Sequence, residues 1–563
     1  MSIDKTKFQN ILFFIVIAIG AIALRLFYLN TDVWYDEACS WFTAKQSFPF
    51  GIFDNLLHLD LQHTPLYFFV LHFWMKIFGD GEFAMRILSL IFGISAVPLV
   101  YTSAKKITTR TNAMFATALS AVSPLLVLFS TEIRMYPVVV FLVLLSMNYL
   151  IDFEQKENTK SLIKLIVVNL LIPYTLVGGI LYNISLFICY AFYLNKNKKY
   201  MLVKYLKACA VELVCLIPYF ILIGYYAKMR NLFVISHEGY LHFSHVVDIV
   251  RNFFGATLIP NIYWPATEPY QITLLFAVLV VIPCVYFVIG LVNDLKSKDS
   301  FLRMLCSIFI FSFILSVIFS FFKVNVLTVR YILYLLPPFF ILSVIGVSQK
   351  YSAKHYKIFL SLFILASVVY TLYSAPTFRV LKTLSFKTVR LESDKLNLGV
   401  DDVVIMPFGS DAPYYFRQLT APRVFNFDFH KEARNPYNKN FYDEKQQLRM
   451  AHKQQRAEEV YFAVRSNNII SNNYANYFWE NVNATVPSGR YVLLALYGSD
   501  ANSLISIEDL RQFASSPQVV EMHLLDVLFK KYLCDTRALL DLDFDYIKTY
   551  NKDNYTFLLY KKR

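Results

Sequence analysis

The chain has 563 residues, of which 56% are hydrophobic and only 17% are charged, and its mean hydropathy is +0.45. A soluble domain carries about a quarter charged residues, so the deficit indicates that much of the surface faces lipid. The formal net charge of +14 would suit a nucleic-acid-binding protein, but the placement of the basic residues, described below, argues against nucleic acid. The seven cysteines show no spacing typical of a zinc site or a disulfide framework.

Apolar runs long enough to cross about 30 Å of hydrocarbon recur from the N-terminus to about residue 375. A cleaved signal peptide is the alternative for the first run, because Lys5 and Lys7 precede it and Ala21-Ile22-Ala23 could be a cleavage site. We reject it because the apolar pattern continues through Phe27. The sequence therefore predicts eleven transmembrane helices, at 9–29, 84–104, 112–130, 135–151, 161–177, 180–195, 202–224, 271–293, 302–322, 328–347 and 357–375.

The basic residues predict the orientation of these helices. Every second connection, beginning with the N-terminal segment, is rich in Lys and Arg, whereas the other set is poorer in them and includes two long loops, 30–83 and 225–270. Lys and Arg accumulate on the cytoplasmic side of a membrane. We therefore expect a cytoplasmic N-terminus, both long loops outside and, after an odd number of helices, an extracytoplasmic C-terminal part.

Composition changes after Ser374, so we divide the chain into a membrane domain, 1–375, and a polar domain, 376–563. The polar part contains short apolar runs of strand-like length, interspersed with helix-like stretches such as 443–457 and 505–515. This alternation predicts an extracytoplasmic α/β domain. The strand-like runs are 403–406, 460–464, 491–496 and 555–560.

The first external loop carries two adjacent carboxylates, Asp36 and Glu37, within the sequence Trp34-Tyr35-Asp36-Glu37-Ala38. Acidic residues at a membrane edge are costly to desolvate and tend to be functional. A carboxylate here could accept the proton of a hydroxyl nucleophile as a general base. The alternative is a pair of solvated loop acids.

Two further segments of the external side carry candidate residues. His63-Thr64-Pro65-Leu66-Tyr67 opens an apolar stretch that ends at Gly79 and is short for a membrane span, so we predict an amphipathic helix on the outer surface; a structural re-entrant element is the alternative. The short second loop places Glu132 and Arg134 at a membrane edge, either as functional groups or as an exposed ion pair that caps two helices.

The loop 225–270 and the tenth span supply cations. His242 and His245 have the spacing of a metal pair on a helix, but supporting carboxylates are poor. Basic side chains such as Arg251, and Arg330 beside Tyr331 at the outer end of the tenth span, could instead hold a phosphate. Isolated cations at the ends of spans more often snorkel to the interface. No cofactor is required by these patterns, and a divalent cation is left open.

The order of these motifs resembles one family, the bacterial membrane glycosyltransferases of the GT-C fold. Similar groups are the protein mannosyltransferase-like branch, the aminoarabinose transferases of lipid A and the rhizobial galacturonosyl transferases. The resemblance is strong over residues 20–140, weaker to about 345, and does not extend to 376–563. It is carried by Arg25 in the first span followed by WYDEA, HTPLYFFVLHFWMKIFG, EFAMRILSLIFG, TEIRMY and VRYILYLLPPFF.

The resemblance implies an α-helical polytopic membrane enzyme of the bacterial inner membrane, with a polyprenyl-phosphate sugar donor and an extracytoplasmic glycan, lipid or protein acceptor. It implies that Asp36 is the catalytic carboxylate, with Glu37 beside it, and that His63 lies near the donor phosphate. Glu132 and Arg134 match the second-loop motif of the family. A membrane transporter or flippase is the alternative; it predicts charged or Gly/Pro-broken segments at mid-membrane, of which the sequence shows few. A structural or receptor protein is a third possibility, but it would not explain why both external loops carry acidic residues.

Overall fold

The computed structural model describes residues 5–29, 31–58, 62–232, 270–321, 328–382, 387–406, 421–425, 478–497, 536–537, 539–552 and 555–563. The chain divides into two compact units. The helical unit comprises Met1–Thr31 and Thr43–Leu381, and the sheet unit comprises Asp32–Phe42 and Lys382–Arg563.

Helices dominate the chain as far as residue 395. In chain order they are α1 Lys5–Leu29, α2 Tyr35–Lys45, α3 Phe50–His58, α4 Leu66–Phe78, α5 Glu82–Lys105, α6 Arg110–Val122, α7 Pro124–Phe129, α8 Tyr136–Lys156, α9 Thr159–Thr175, α10 Ile180–Asn197, α11 Lys199–Cys215, α12 Ile217–Leu232, α13 Tyr270–Leu295, α14 Ser300–Phe321, α15 Leu336–Lys350, α16 Ala353–Lys382 and α17 Lys387–Lys395.

All eleven predicted membrane segments are largely helical in the structure. Within the described residues, seven helices are long and apolar enough to cross a membrane: Ile11–Leu29, Glu82–Lys105, Tyr136–Lys156, Val177–Asn197, Ser300–Ser320, Leu333–Lys350 and Ala353–Tyr373. The pair Lys199–Cys215 and Ile217–Lys228, bent by 49°, makes an eighth if it is one span. The remaining predicted segments meet this test only in part, so a total of eleven crossings stays a prediction.

Two of the predicted spans are broken by proline. The segment 112–130 is interrupted at Ser123, and Pro124 opens α7 at a position where a missing N–H costs nothing. The segment 202–224 breaks at Leu216, two residues before Pro218. Proline cannot donate the hydrogen bond that would continue the preceding helix, so each break follows from the sequence, and neither predicted segment is a continuous helix.

Buried arginines connect α1 to its neighbours. Arg25 is 1% exposed and donates from Nη1 to the carbonyls of Ala21 (2.9 Å) and Ala121 (3.0 Å), and from Nε to Ser130 Oγ (2.8 Å). These bonds compensate the cost of removing a guanidinium from water and hold α1 against the C-terminal ends of α6 and α7.

Arg86 on α5 has the same role at the end of α1. Its side chain is fully buried and donates to the carbonyls of Leu29 (3.0 Å) and Thr31. Because both carbonyls lie at or just beyond the last turn of α1, where helical partners run out, Arg86 fixes the point at which the chain leaves this helix.

Glycines allow a close crossing between α13 and α15. A Cβ atom added to Gly346 would lie 1.9 Å from the carbonyl oxygen of Gly290, and one added to Gly290 would lie 2.4 Å from the carbonyl oxygen of Ser343. Small residues that let backbones approach are typical of helix packing in membranes.

Among its described residues, the sheet unit contains a five-stranded mixed sheet in the order β2-β1-β3-β5-β4. β1 is parallel to β2 and β3, and β5 is antiparallel to β3 and β4. The strands are β1 Val403–Ile405, β2 Arg423–Phe425, β3 Tyr491–Tyr497, β4 Phe544–Lys552 and β5 Tyr555–Lys562.

Three of the predicted strands are confirmed as β1, β3 and β5. The run 460–464 and the helix-like stretches 443–457 and 505–515 lie outside the described residues. β4 was not predicted because it is the last strand in the sheet order and most of its side chains are exposed, so it lacks the apolar run by which a buried strand is found in a sequence.

The glycine crossing yields a stability prediction. We expect Gly346→Ala to destabilise the protein by about 1–3 kcal/mol, the usual cost of overpacking, because the new methyl group would meet the backbone of α13. Gly224→Ala is the matched control, since a Cβ atom there meets nothing within 4 Å. Thermal unfolding of both purified variants in detergent would check this, and equal unfolding temperatures would contradict it.

Candidate functional site

The turn between α7 and α8, which is the predicted short second loop, is buried within the protein. Thr131, Glu132 and Ile133 are fully buried and Arg134 is 3% exposed. The backbone is fixed by a bond from Arg134 N to Glu132 O (2.8 Å) and by Ser89 Oγ, which donates to Arg134 O (3.3 Å). The alternative of an exposed Glu132–Arg134 ion pair is therefore wrong, because neither side chain is exposed.

Arg134 contacts His63, a residue predicted to share its site. Arg134 Nη2 lies 2.8 Å from His63 Nε2, and the two residues are 71 positions apart in the chain. A guanidinium can only donate hydrogen bonds, so Nε2 of His63 is the acceptor in this pair. His63 itself is 6% exposed.

Aromatic rings extend this pair to the tenth predicted span. The guanidinium carbon of Arg134 is 5.7 Å from the centre of the Tyr136 ring, and that ring is 6.2 Å from the ring of Tyr331. The guanidinium carbon of Arg330 is 5.4 Å from the Tyr331 ring. Cations at such distances are attracted by the ring quadrupole. His63, Arg134, Tyr136, Tyr331 and Arg330 thus form one chain of contacts, which we call the His63–Arg330 cluster.

The charge and donors of this cluster suit an anion. Two guanidinium groups and an imidazole lie within a few contacts of one another, and Arg fits phosphate oxygens with parallel N–H donors. Glu132, two residues before Arg134, is the acidic residue of the same turn. The structure thus brings four of the predicted substrate-binding residues into one chain of contacts: His63, Arg134, Arg330 and Tyr331.

The two acids of the first loop have different environments. They lie in the first turn of α2 and not on an extended loop, and the carbonyl of Trp34 accepts the first helical bond from Ala38 N (2.9 Å). Glu37 is fully buried, and its Oε2 accepts a bond from Trp34 N (3.3 Å), as the acidic residue of a capping box does. Glu37 therefore has a structural role at the start of the helix, and the alternative of a solvated acid is wrong for it.

Asp36 is partly exposed, in contrast to Glu37. Its backbone carbonyl accepts a bond from Ser40 Oγ (3.1 Å) within α2. The segment that carries it is held within the sheet unit by Lys387 Nζ, 3.0 Å from Asp32 Oδ1. Of the two adjacent carboxylates, Asp36 has the side chain that a solute can reach.

The predicted surface helix is present as α4, with one side buried and an apolar side exposed. Tyr67, Phe68, Leu71 and His72 are buried, whereas Phe73 and Ile77, on the other side of the helix, are 46% and 72% exposed. This pattern agrees with a helix that lies in an interface with one apolar side outward.

Two predicted groups cannot be compared with the structure. Arg251 and the possible metal pair His242 and His245 lie outside the described residues. Among the described residues no group of three His, Cys, Asp or Glu side chains could hold a metal ion.

Sequence reasoning missed two tyrosines that contact this site. Tyr136 belongs to the TEIRMY motif, and its position two residues after Arg134 is the sequence signal for it. Tyr226 on α12 donates from its hydroxyl to the carbonyl oxygen of His63 (2.9 Å). A tyrosine within an apolar run is more often part of the core, so nothing in the sequence singled it out.

Comparison with known proteins identifies the fold. Residues 62–222 match the family model described as dolichyl-phosphate-mannose-protein mannosyltransferase. The crystal structure of ArnT from Cupriavidus metallidurans in the apo state is similar with a TM-score of 0.55 and 11% identity, over 99% of this chain and 98% of that one. The chain has the GT-C glycosyltransferase fold. No curated protein sequence matches it.

Further structures agree with this GT-C assignment. ArnT bound to undecaprenyl phosphate matches with a TM-score of 0.52 and 12% identity, over 98% of each chain. The apo oligosaccharyltransferase of Archaeoglobus fulgidus matches with a TM-score of 0.50 and 13% identity, over 86% of this chain and 69% of that one. The resemblance read from the sequence is thus confirmed for the fold, and the GT-C chain is an integral membrane protein.

The cluster yields a binding prediction. A short-chain isoprenyl phosphate at about 100 times its Kd should stabilise the protein by about 2.7 kcal/mol, and Arg134→Gln should remove most of that gain because it removes the buried charge of the cluster. Arg303→Gln is the control, since Arg303 on α14 is outside the cluster and bonds the backbone carbonyl of Ser297 in the turn before that helix. Ligand-dependent unfolding temperatures measure the effect, and equal stabilisation of all three proteins would contradict it.

Proposed function

We propose that this protein transfers a sugar from a polyprenyl-phosphate donor to an extracytoplasmic acceptor. The observation that carries the proposal is the His63–Arg330 cluster, a group of two guanidiniums and an imidazole within a GT-C fold, in which His63 and Arg134 are buried and Arg330 is partly exposed. A solved neighbour, ArnT, is described as bound to undecaprenyl phosphate, which supports a lipid phosphate as the ligand. The acceptor is a glycolipid, a polysaccharide or a protein.

The chemistry requires three contributions from the protein. In a single displacement, the acceptor oxygen forms a bond to the anomeric carbon while the bond from that carbon to the phosphate oxygen breaks. The phosphate leaves with the bonding electrons as polyprenyl phosphate, and the acceptor proton passes to a base. Such a reaction needs an acceptor base, fixed charges for the phosphate and a site that excludes water. In-line attack inverts the anomeric centre.

We assign the base to Asp36 and the phosphate-binding groups to His63 and Arg134. Asp36 is the partly exposed acid of its pair, whereas Glu37 caps α2, which supports this choice. Arg330 and Tyr331 extend the cationic cluster, and Arg251 remains a candidate from the sequence alone. Glu132 is the second acid of the proposed site, on the same buried turn as Arg134.

The proposal includes an orientation. We infer a cytoplasmic N-terminus, a membrane domain over 1–375 and an extracytoplasmic α/β domain over 376–563, as the basic residues of alternate connections indicate. A reporter fused after Arg563 should be active outside the cytoplasm, and a reporter that is active only in the cytoplasm would overturn this orientation.

The roles of the two acids yield a mutational prediction. Asp36→Asn should lower transfer by at least about 10²–10⁴-fold, the usual contribution of a general base, because the substitution keeps the shape of the side chain and removes its basic oxygen. Glu37→Gln should leave the cap in place, because Gln also fills this position of a capping box, and should leave transfer nearly intact. Disappearance of the labelled polyprenyl-phosphate sugar, separated from other lipids by thin-layer chromatography, measures transfer.

The reverse result would reassign the base. An inactive Glu37→Gln beside an active Asp36→Asn would make Glu37 the base, and full activity of both would remove the catalytic role from this pair. A protein that moves the lipid-linked sugar across the bilayer without breaking its phosphate bond would be a flippase. Mass spectrometry of surface glycans and glycoproteins with and without the gene would identify the acceptor.

A further inference from the structure

The further inference concerns Tyr226, a residue of α12 with no place in the proposed chemistry. Its side chain is 4% exposed, although the same helix exposes Ile221 by 68%. The hydroxyl of Tyr226 donates to the carbonyl oxygen of His63 at 2.9 Å, across 163 positions of the chain. Tyr226 thus contacts the backbone of a residue whose side chain belongs to the His63–Arg330 cluster.

The carbonyl that Tyr226 contacts belongs to the segment that precedes α4. α4 begins at Leu66. The first carbonyl that accepts a hydrogen bond from this helix is that of Pro65, which is bonded by Phe69 N. The carbonyl of His63 lies before this point and is buried with the residue, and a buried carbonyl needs a donor. Tyr226 supplies one, while Arg134 donates to the imidazole at the other end of the residue.

We propose that Tyr226 is a positioning residue for the donor phosphate. It holds the backbone of His63, and thereby sets the distance between the imidazole and the guanidinium of Arg134 that together receive the phosphate. A displacement of about 1 Å in a group that positions a substrate can cost about 10²-fold in rate. This inference rests on the proposed function and adds to it a residue on a helix that carries no other part of the cluster.

A second tyrosine of the same helix provides a control, which distinguishes positioning of His63 from anchoring of α12. Tyr219 lies seven residues earlier, is 2% exposed, and donates from its hydroxyl to the carbonyl oxygen of Val177 at 2.7 Å. It makes the same kind of bond as Tyr226 and fastens the same helix, but its partner lies in the turn between α9 and α10. Tyr219→Phe therefore removes an anchor of α12 and leaves His63 untouched.

The test measures the affinity of the full-length protein in nanodiscs for a short-chain isoprenyl phosphate. Tyr226→Phe should weaken binding by about 10-fold or more, and Tyr219→Phe should change it by less than about twofold. In a His63→Ala background, which keeps Arg134 and Arg330, Tyr226→Phe should have no additional effect on affinity. The effects of two mutations do not add when one residue acts through the other.

Several results would overturn the inference. Equal weakening by Tyr226→Phe and Tyr219→Phe, or the same loss from Tyr226→Phe with and without His63, would make Tyr226 an anchor only. A Tyr226→Phe protein that fails to fold while Tyr219→Phe folds would lead to the same conclusion. If the folded wild-type protein does not bind the isoprenyl phosphate, the proposed function itself fails, whereas wild-type binding that Tyr226→Phe leaves unchanged removes the inference alone.

Discussion

The hydrogen bond between Arg134 and His63 is the interaction on which the candidate site depends. A guanidinium that is 3% exposed has lost most of its water and must recover that cost through partners. A bond to a charged donor contributes about 1.5–3 kcal/mol, and here it joins the turn after α7 to the segment before α4. The same bond leaves a positive charge beside an imidazole, a combination that an incoming phosphate would stabilise further.

Buried arginines also fix other segments of the helical unit, outside this site. Arg25 ties α1 to Ser130, which begins the turn that carries Glu132 and Arg134. Arg86 bonds the carbonyls of Leu29 and Thr31, just before the segment that carries Asp36. In each case a cation in an apolar surrounding is compensated by main-chain carbonyls and so fixes a segment with candidate functional residues. Arg25, in the first span, and Arg86, in EFAMRILSLIFG, are both part of the sequence resemblance, which gave no physical role for either.

The sequence predicts the features that depend on long apolar runs and on motif order. The helices of the membrane domain and the neighbourhood of His63, Arg134, Arg330 and Tyr331 belong to this class. Features that depend on a single contact could not be predicted from the sequence. The cap that Glu37 forms with Trp34 N distinguishes it from Asp36 only once α2 is seen to begin at Tyr35. The bond of Tyr226 to a carbonyl 163 positions away has no local signature.

The most direct test of the account is a cryo-EM structure of the full-length protein in nanodiscs with a short-chain isoprenyl phosphate. The account predicts phosphate density within hydrogen-bonding distance, about 2.7–3.2 Å, of His63 Nε2 or the guanidinium of Arg134, with the Arg134–His63 bond opened or shared to admit it. Phosphate density bound elsewhere, with the Arg134–His63 bond unchanged at 2.8 Å, would contradict the central claim that this cluster receives the donor.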